Sequence, residues 1–274
     1  MATPSRHALV TGGSRGIGRG ITLKLAEQGV RVAINYLKDE PAARATLDQV
    51  EKRGSAGFIV QADVSRPADL DRLFDRIRKE FGSLDIFVAN ARPEVGAFYQ
   101  PPMAIGLEQF DAAMDSQAKS FLLAVRHAEK LMPDDGRVIV ITYAPGGRYG
   151  SWQSWVGMGA AKSALESLSR YFAVALAPRG ITVNVVSPGW IEDSVLNSLP
   201  EPVVQMVRDH HRSGWTPMRR LGTPADIGNA VSLLCSADAA WITGQLIAVD
   251  GGMSLMDPGL PLAIQQPELQ EPAG

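Results

Sequence analysis

Short runs of branched and apolar side chains alternate with helix-patterned stretches along almost the whole chain, and this alternation restricts the fold more than any other feature. His7-Ala8-Leu9-Val10 leads into a helical pattern from Gly16 to Gln28, Val30 to Asn35 into one from Ala42 to Lys52, and Gly57 to Val60 into one from Ala68 to Phe81. The pattern continues through Ile86 to Val88, Gln109 to Leu131, Arg137 to Ile141, Gly159 to Ala177 and Thr182 to Val186. Strands joined through helices run parallel, so the expected class is α/β, a doubly wound parallel sheet flanked by helices. No linker-like shift in composition breaks the series, and the 274 residues are read as a single domain, 1–274. Two stretches depart from it: a segment at about 191–221, rich in polar, Trp and His residues, reads as a substrate lid, and a Pro- and Gln-rich tail from about 257 reads as a loose or packing arm.

The first strand ends at Val10 and runs into Thr11-Gly12-Gly13-Ser14-Arg15-Gly16-Ile17-Gly18, directly before a helical pattern. Glycines there let bare backbone approach a pyrophosphate at a helix N-terminus, the arrangement of a Rossmann-type dinucleotide site. About twenty residues further on, such sites place an acidic side chain on the adenosine ribose. This chain has Asn35-Tyr36-Leu37-Lys38 instead. With no carboxylate in that stretch to repel a 2′-phosphate, and with Arg15 and Lys38 available to pair with it, NADP(H) is favoured over NAD(H). The alternative is that both cations are solvated surface charges.

These motifs resemble those of the short-chain dehydrogenase/reductases from His7 to Gly252. Asp63-Val64 is similar to the pair that touches adenine, and Ala89-Asn90-Ala91-Arg92 to the family's Asn-Asn-Ala-Gly. Lys162 falls at the family's catalytic lysine, Ser187-Pro188-Gly189 at the turn that holds the nicotinamide carboxamide, with Ile191 beyond it, and Gly244 to Gly252 resembles the last strand. The resemblance implies a sheet of about seven strands and assembly as a homodimer or homotetramer through the helices near Gln109 and Gly159.

The catalytic part of the resemblance is broken. The family's tyrosine, four residues before the lysine, is Met158; the serine region reads Thr142-Tyr143; the relay asparagine is Gln117. A subgroup, the enoyl-acyl-carrier-protein reductases, puts its tyrosine seven before the lysine and often has methionine at minus four, with a Thr-Tyr pair upstream. Here minus seven is Trp155, which donates a hydrogen bond but is no acid near neutral pH, and two extra residues separate Tyr143 from Lys162 relative to that subgroup. Tyr143 is left either as a replacement donor or as a ring that only stacks on cofactor or substrate.

General acid help is worth about 10² to 10⁴ in rate, so chemistry that does not need it is favoured. Hydride delivery to an iminium carbon leaves a neutral amine, and conjugate delivery to an enone or enoyl thioester leaves an enolate that water protonates. Four of the five tryptophans, Trp152, Trp155, Trp190 and Trp215, fall in segments expected to flank the nicotinamide. They suit a flat or cationic substrate, or else form a packed cluster or a subunit contact. Asp193 either stabilises a substrate cation or faces solvent. The leading expectation is an NADPH-dependent reductase of a C=N bond in an aromatic or alkaloid-like metabolite. The alternatives are an enoyl-thioester, enone or carbonyl reductase with Tyr143 as donor, and a non-catalytic NADP(H)-binding regulator or scaffold.

The partner is thus expected to be a small molecule. A net charge of −2 offers no field for nucleic acid, no apolar run reaches the roughly 20 residues of a bilayer span, and the start lacks a signal-peptide pattern. The chain is read as cytoplasmic. Cys235, the one cysteine, is read as a structural thiol, and no metal site is expected.

Overall fold

The computed structural model describes residues 5–93, 100–143, 154–192 and 196–266. Seven parallel strands form one sheet: β1 (His7–Val10), β2 (Arg31–Tyr36), β3 (Gly57–Gln61), β4 (Ile86–Ala89), β5 (Arg137–Ile141), β6 (Thr182–Pro188) and β7 (Leu246–Val249). Their order is β3-β2-β1-β4-β5-β6-β7, so the chain reverses direction of travel between β3 and β4, and the ends of β1 and β4 lie side by side at the switch point. Val10 pairs with both Ile34 and Val88. Open sheets of this kind bind ligands at that crevice.

Helices α1 (Gly16–Glu27), α2 (Glu40–Lys52) and α3 (Pro67–Phe81) connect the first half. Helices α4 (Leu107–Met114), α5 (Ser120–Glu129), α6 (Val156–Leu176), α7 (Glu201–His210), α8 (Pro224–Leu234) and the short α9 (Leu262–Gln265) belong to the second. The two cores follow from strand alternation: Leu9 points into a cluster with Phe74, Phe87, Phe121 and Val138, whereas Ala8 and Val10 point into one with Ile21, Leu25, Ile227 and Val231. Local chemistry sets the helix starts. Asp39 caps α2 by accepting from Ala42 N at 3.0 Å. Thr223 and Asp226 form a reciprocal capping box on α8, with Pro224 in its first turn.

The helix expected over Gln109 to Leu131 differs in its interior. It begins at Leu107 and is interrupted at Asp115–Lys119 by a π-helical turn between α4 and α5. The extra residue in that turn swings Gln117 inward, where it is 2 % exposed and donates through Nε2 to Ala91 O at 3.0 Å. Among the described residues the tail is anchored as far as Gln266, which is buried and whose Nε2 donates to Gly214 O at 2.8 Å, tying it to the segment read as a lid. Cys235 is buried just past α8, and burial pushes its thiol up to about 12, so it stays protonated and inert. Among the described residues no helix is long and apolar enough to cross a membrane, and no group of His, Cys, Asp and Glu could hold a metal.

Helices α1 and α8 cross with almost no separation. A Cβ on Gly20 would run into the Pro224 carbonyl, and one on Gly228 would come within 2.6 Å of Gly20 O. Gly20→Val is therefore expected to cost about 1–3 kcal/mol by overpacking. A thermal melt should show a drop of roughly 2–4 °C for each kcal/mol lost; an unchanged melting temperature would show that the crossing is not tight.

Candidate functional site

The glycine loop leaves β1 at Thr11 and is fixed by neighbouring strand ends. Gly12 N donates to Asn35 Oδ1 at 3.2 Å and Gly13 N to Asn35 O at 3.0 Å. Asn35 is 2 % exposed, and its Nδ2 donates to Ala62 O at 3.0 Å. Its side chain thus holds the loop to β2 and the end of β3. Gly12 and Gly16 have φ of +62° and +52°, and a Cβ on Gly18 would collide with the Gly12 carbonyl. Only glycine fits there without strain, and the first turn of α1 is left bare to meet an anion.

On the other side of the switch point, Asn90 N and Ala91 N donate to Thr11 Oγ1 at 2.9 and 3.1 Å, and Asn90 Nδ2 donates to Thr11 O at 2.9 Å. Asp63 accepts from Ser65 N at 3.0 Å and Ser65 Oγ at 2.7 Å, which orders the turn after β3. Tyr36 is nearly buried, and burial, followed by the charge of Glu40, raises its pKa. Beyond β6, Gly189 N donates to Val249 O at 3.1 Å, and its α-carbon packs so closely on Asp250 that a Cβ would come within 2.8 Å.

These pieces line one cleft of about 890 Å³. Its walls include Gly12, Ser14, Arg15, Gly16, Ile17, Gly18, Asn35, Tyr36, Asp63, Val64, Asn90, Lys162, Pro188, Gly189 and Ile191, the residues expected from sequence to contact the cofactor. They also include Tyr143, Trp155, Met158 and Trp190. Trp215 is placed elsewhere. It stacks on His210 at 5.5 Å and 10°, at the far end of a ring ladder through His211 to Trp190, and does not line the cleft. His211 is buried against Thr216 Oγ1 at 2.7 Å; burial, aided by His210, pulls it down to about 4, so it is neutral at ordinary pH. Trp152 and Asp193 lie outside the described residues.

Lys162 projects from α6 into the floor of the cleft, where its Nζ donates to Ile141 O at 2.6 Å. Burial first, then the positive charge of Arg92, lowers its pKa to about 7, against an upward pull from Glu166. Glu166, one helical turn beyond, accepts from Thr142 Oγ1 at 2.7 Å, and Ser187 Oγ donates to Tyr143 O at 2.7 Å. The Tyr143 ring lies 6.1 Å from that of Trp155, and its hydroxyl sits over Gly159, where a Cβ would approach it to 2.9 Å. Burial, then the charge of Glu166, raises the Tyr143 pKa. Met158, four residues before Lys162, is 2 % exposed and forms an apolar wall of the cleft.

Two site residues were missed by sequence reasoning. Asp39 pairs with Arg15 at 3.3 Å, so a carboxylate does stand at the adenosine end, one residue past the stretch inspected. Glu166 was detectable only as an acid at i+4 from Lys162 on a helix.

Residues 12–254 match a family profile described as Enoyl-(Acyl carrier protein) reductase. The 1-cyclohexenylcarbonyl-CoA reductase of Streptomyces collinus is 36% identical over 258 residues, covering 92% of this chain and 88% of that protein. The solved structure of the angucycline C-6 ketoreductase LanV with bound NADP superposes with a TM-score of 0.82 at 36% identity, covering 92% of this chain and 96% of LanV. That of LugOII, a promiscuous reductase of keto-reduction at C1 in lugdunomycin biosynthesis, gives 0.81 at 35% identity, covering 91% and 98%. The chain belongs to the short-chain dehydrogenase/reductase family. It is an oxidoreductase, with the seven-stranded Rossmann-type sheet expected from its sequence.

The buried lysine carries a stability signature. Its pKa is about 7 in the fold and about 10.4 in an unfolded chain, so between these values the unfolded state binds more protons. Stability of the ligand-free protein should therefore rise from pH 7 to 9, read as the urea midpoint, and Lys162→Met should flatten the rise. An equal slope in both proteins would place the titrating group elsewhere.

Proposed function

We propose that the chain uses NADPH to reduce a carbon–carbon double bond conjugated to a carbonyl, as in an enoyl thioester or a cyclic enone. The observation that carries this reading is Met158, buried and apolar in the cleft wall where a proton-donating tyrosine would stand, with Trp155 at the alternative position. Bound at the glycine loop, NADPH supplies hydride. The bare first turn of α1 fits the pyrophosphate, and Lys162 lies where it can hold the nicotinamide ribose. Conjugate delivery to the β-carbon moves the double-bond electrons onto the carbonyl oxygen, and the α-carbon afterwards takes a proton from water. No enzyme acid has to act in the hydride step. The name of the Streptomyces collinus relative, a reductase of a conjugated CoA thioester, agrees with this choice, whereas LanV and LugOII, similar to the same degree, are named for keto-reduction.

A second reading, hydride transfer to an iminium carbon, is favoured by the Trp155 and Trp190 rings on the cleft. It ranks lower because Arg92 and Lys162, close enough in the cleft to act on each other, disfavour a cation beside them and attract an enolate. Simple ketone reduction ranks below both, since it forgoes about 10² to 10⁴ of acid help. Exposed Leu107, Leu122, Tyr171 and Val174 on α4, α5 and α6 offer an apolar face for a second copy of the chain.

Matched cyclic enone, ketone and iminium compounds, with NADPH and with NADH as control, test the reading. Enone turnover should exceed ketone turnover by about tenfold or more, and Tyr143→Phe should leave it within about threefold. Ketone preference with a loss of about 10² in Tyr143→Phe would instead make Tyr143 the acid; faster iminium turnover would favour the second reading. Asp39→Asn frees Arg15 from an exposed pair worth about 0–1 kcal/mol. It is expected to tighten NADPH binding by up to about fivefold in a fluorescence titration, with little change for NADH.

A further inference from the structure

Arg92 puts a long cationic side chain where the Asn-Asn-Ala-Gly pattern of the family has bare glycine. Its backbone is held in place from both sides. Ala91 N donates to Thr11 Oγ1 at 3.1 Å, and Ala91 O accepts from Gln117 Nε2 at 3.0 Å. The side chain folds back far enough for Nη1 to donate to Pro93 O at 3.0 Å, and it lines the same cleft as Tyr143, Met158 and Lys162. The guanidinium is reached by solvent in the open cleft, yet enough protein surrounds it that burial disfavours its charge, and Arg15 adds repulsion. Arg92 in turn acts on Lys162, second only to burial.

Arg92 and Lys162 repel each other in the cleft until negative charge comes between them. At the Arg15 end, Asp39 already supplies it at 3.3 Å, and the phosphates of the cofactor would add to it. At the Lys162 end, the charge that appears during reduction of a conjugated carbonyl is on the substrate oxygen. We propose that Arg92 donates a hydrogen bond to that oxygen and, together with Lys162, holds the negative charge that collects on it as hydride reaches the β-carbon. The site is thus an oxyanion site for a planar enolate, and the inference rests on the double-bond reading above. Arg92 transfers no proton. The guanidinium stays charged throughout, the C=C electron pair moves to oxygen, and when it returns the α-carbon takes its proton from water. The arrangement supplies electrostatically what the missing tyrosine would have supplied by proton transfer. Such a donor, aimed where charge develops, is worth about 10² to 10³ in turnover.

Arg92→Gln and Arg92→Lys test this with two readouts. In steady-state assays with a cyclic enone, Arg92→Gln should lower kcat by about 10² and Arg92→Lys should recover part of it, while NADPH affinity by fluorescence changes less than about threefold. The second readout involves no hydride transfer. 4-Nitrophenol, whose ionised form is a planar oxyanion, is bound to the complex with NADP⁺ and titrated by its visible absorbance. Its pKa should fall by about one unit or more in the wild-type complex and return towards the free value in Arg92→Gln. A wild-type complex that leaves the phenol pKa unshifted, or an equal shift in Arg92→Gln, overturns the oxyanion site. So does a variant that loses about tenfold in NADPH affinity with kcat unchanged, because Arg92 would then be a ligand of the cofactor phosphates. Ketone preference in the substrate panel would defeat the double-bond reading while leaving the phenol titration to judge Arg92 by itself.

Discussion

The hydroxyl of Thr11 donates to Val88 O at 3.2 Å and accepts from the backbone N–H groups of Asn90 and Ala91, so it joins the ends of β1 and β4 at the one place where the sheet reverses its order. The rest of the cleft depends on that joint. On one side it fixes the start of the glycine loop, which Asn35 then holds against β2; on the other it fixes the strand end that carries Asn90 and Arg92. A buried hydroxyl with its donor and both acceptor sites used is costly to replace, because each lost partner leaves a polar group unsatisfied. The joint also explains why a four-residue strand at the centre of the sheet suffices. The ladder bonds of β1 are few, but they continue into side-chain bonds beyond its last residue.

The electrostatics of the cleft follow from where the fold buries Lys162, the one buried lysine among the described residues. Lys162 is taken out of water by α6 packing against β5 and β6, and its nearest compensation is the Ile141 carbonyl, with Glu166 a helical turn away and engaged with Thr142. An ammonium so placed is poised near neutrality, and the sign of any nearby charge decides its state. Arg92 pushes it towards the neutral form. An anionic cofactor or a developing oxyanion pushes it back. The cleft is therefore most favourably charged when occupied, which is the condition for electrostatic help confined to the reacting complex.

How much of this was legible follows from what kind of information each feature needs. The strand–helix alternation and the glycine loop are written in side-chain type and spacing, and the parallel sheet and the residues around the loop could be read from them, whereas the count of seven strands came with the family resemblance. The π turn at Asp115–Lys119 could not, since one residue inserted into a helix changes neither composition nor amphipathic pattern enough to show. The role of Asn35 was obscured for a different reason. A ribose-contact position and a loop anchor both ask for a short polar side chain, and only the direction of its amide, towards Gly12 and Ala62, separates them. Trp215 illustrates the limit of proximity in sequence: it follows His210 and His211 on one segment, yet Gly214, at φ +118°, turns it back to stack on His210 rather than towards the cleft.

The start of helix α6 is best understood by what it contributes to the cleft. At Met158 it presents a thioether that excludes water, and at Gly159 it presents no side chain at all, which is what allows the hydroxyl of Tyr143 to settle against the helix. Any side chain at 159 would displace that ring. The phenol that arrives there comes from just beyond the end of β5, packs beside Trp155, and is made a weaker acid by burial and by Glu166. A family tyrosine works because its lysine neighbour favours the phenolate; here the charge that acts on the phenol is a carboxylate, and it favours the neutral form. The aromatic ring is retained in the wall, and burial and Glu166 both favour its neutral form. That combination suits chemistry in which the carbonyl oxygen is held but need not be protonated before the hydride arrives.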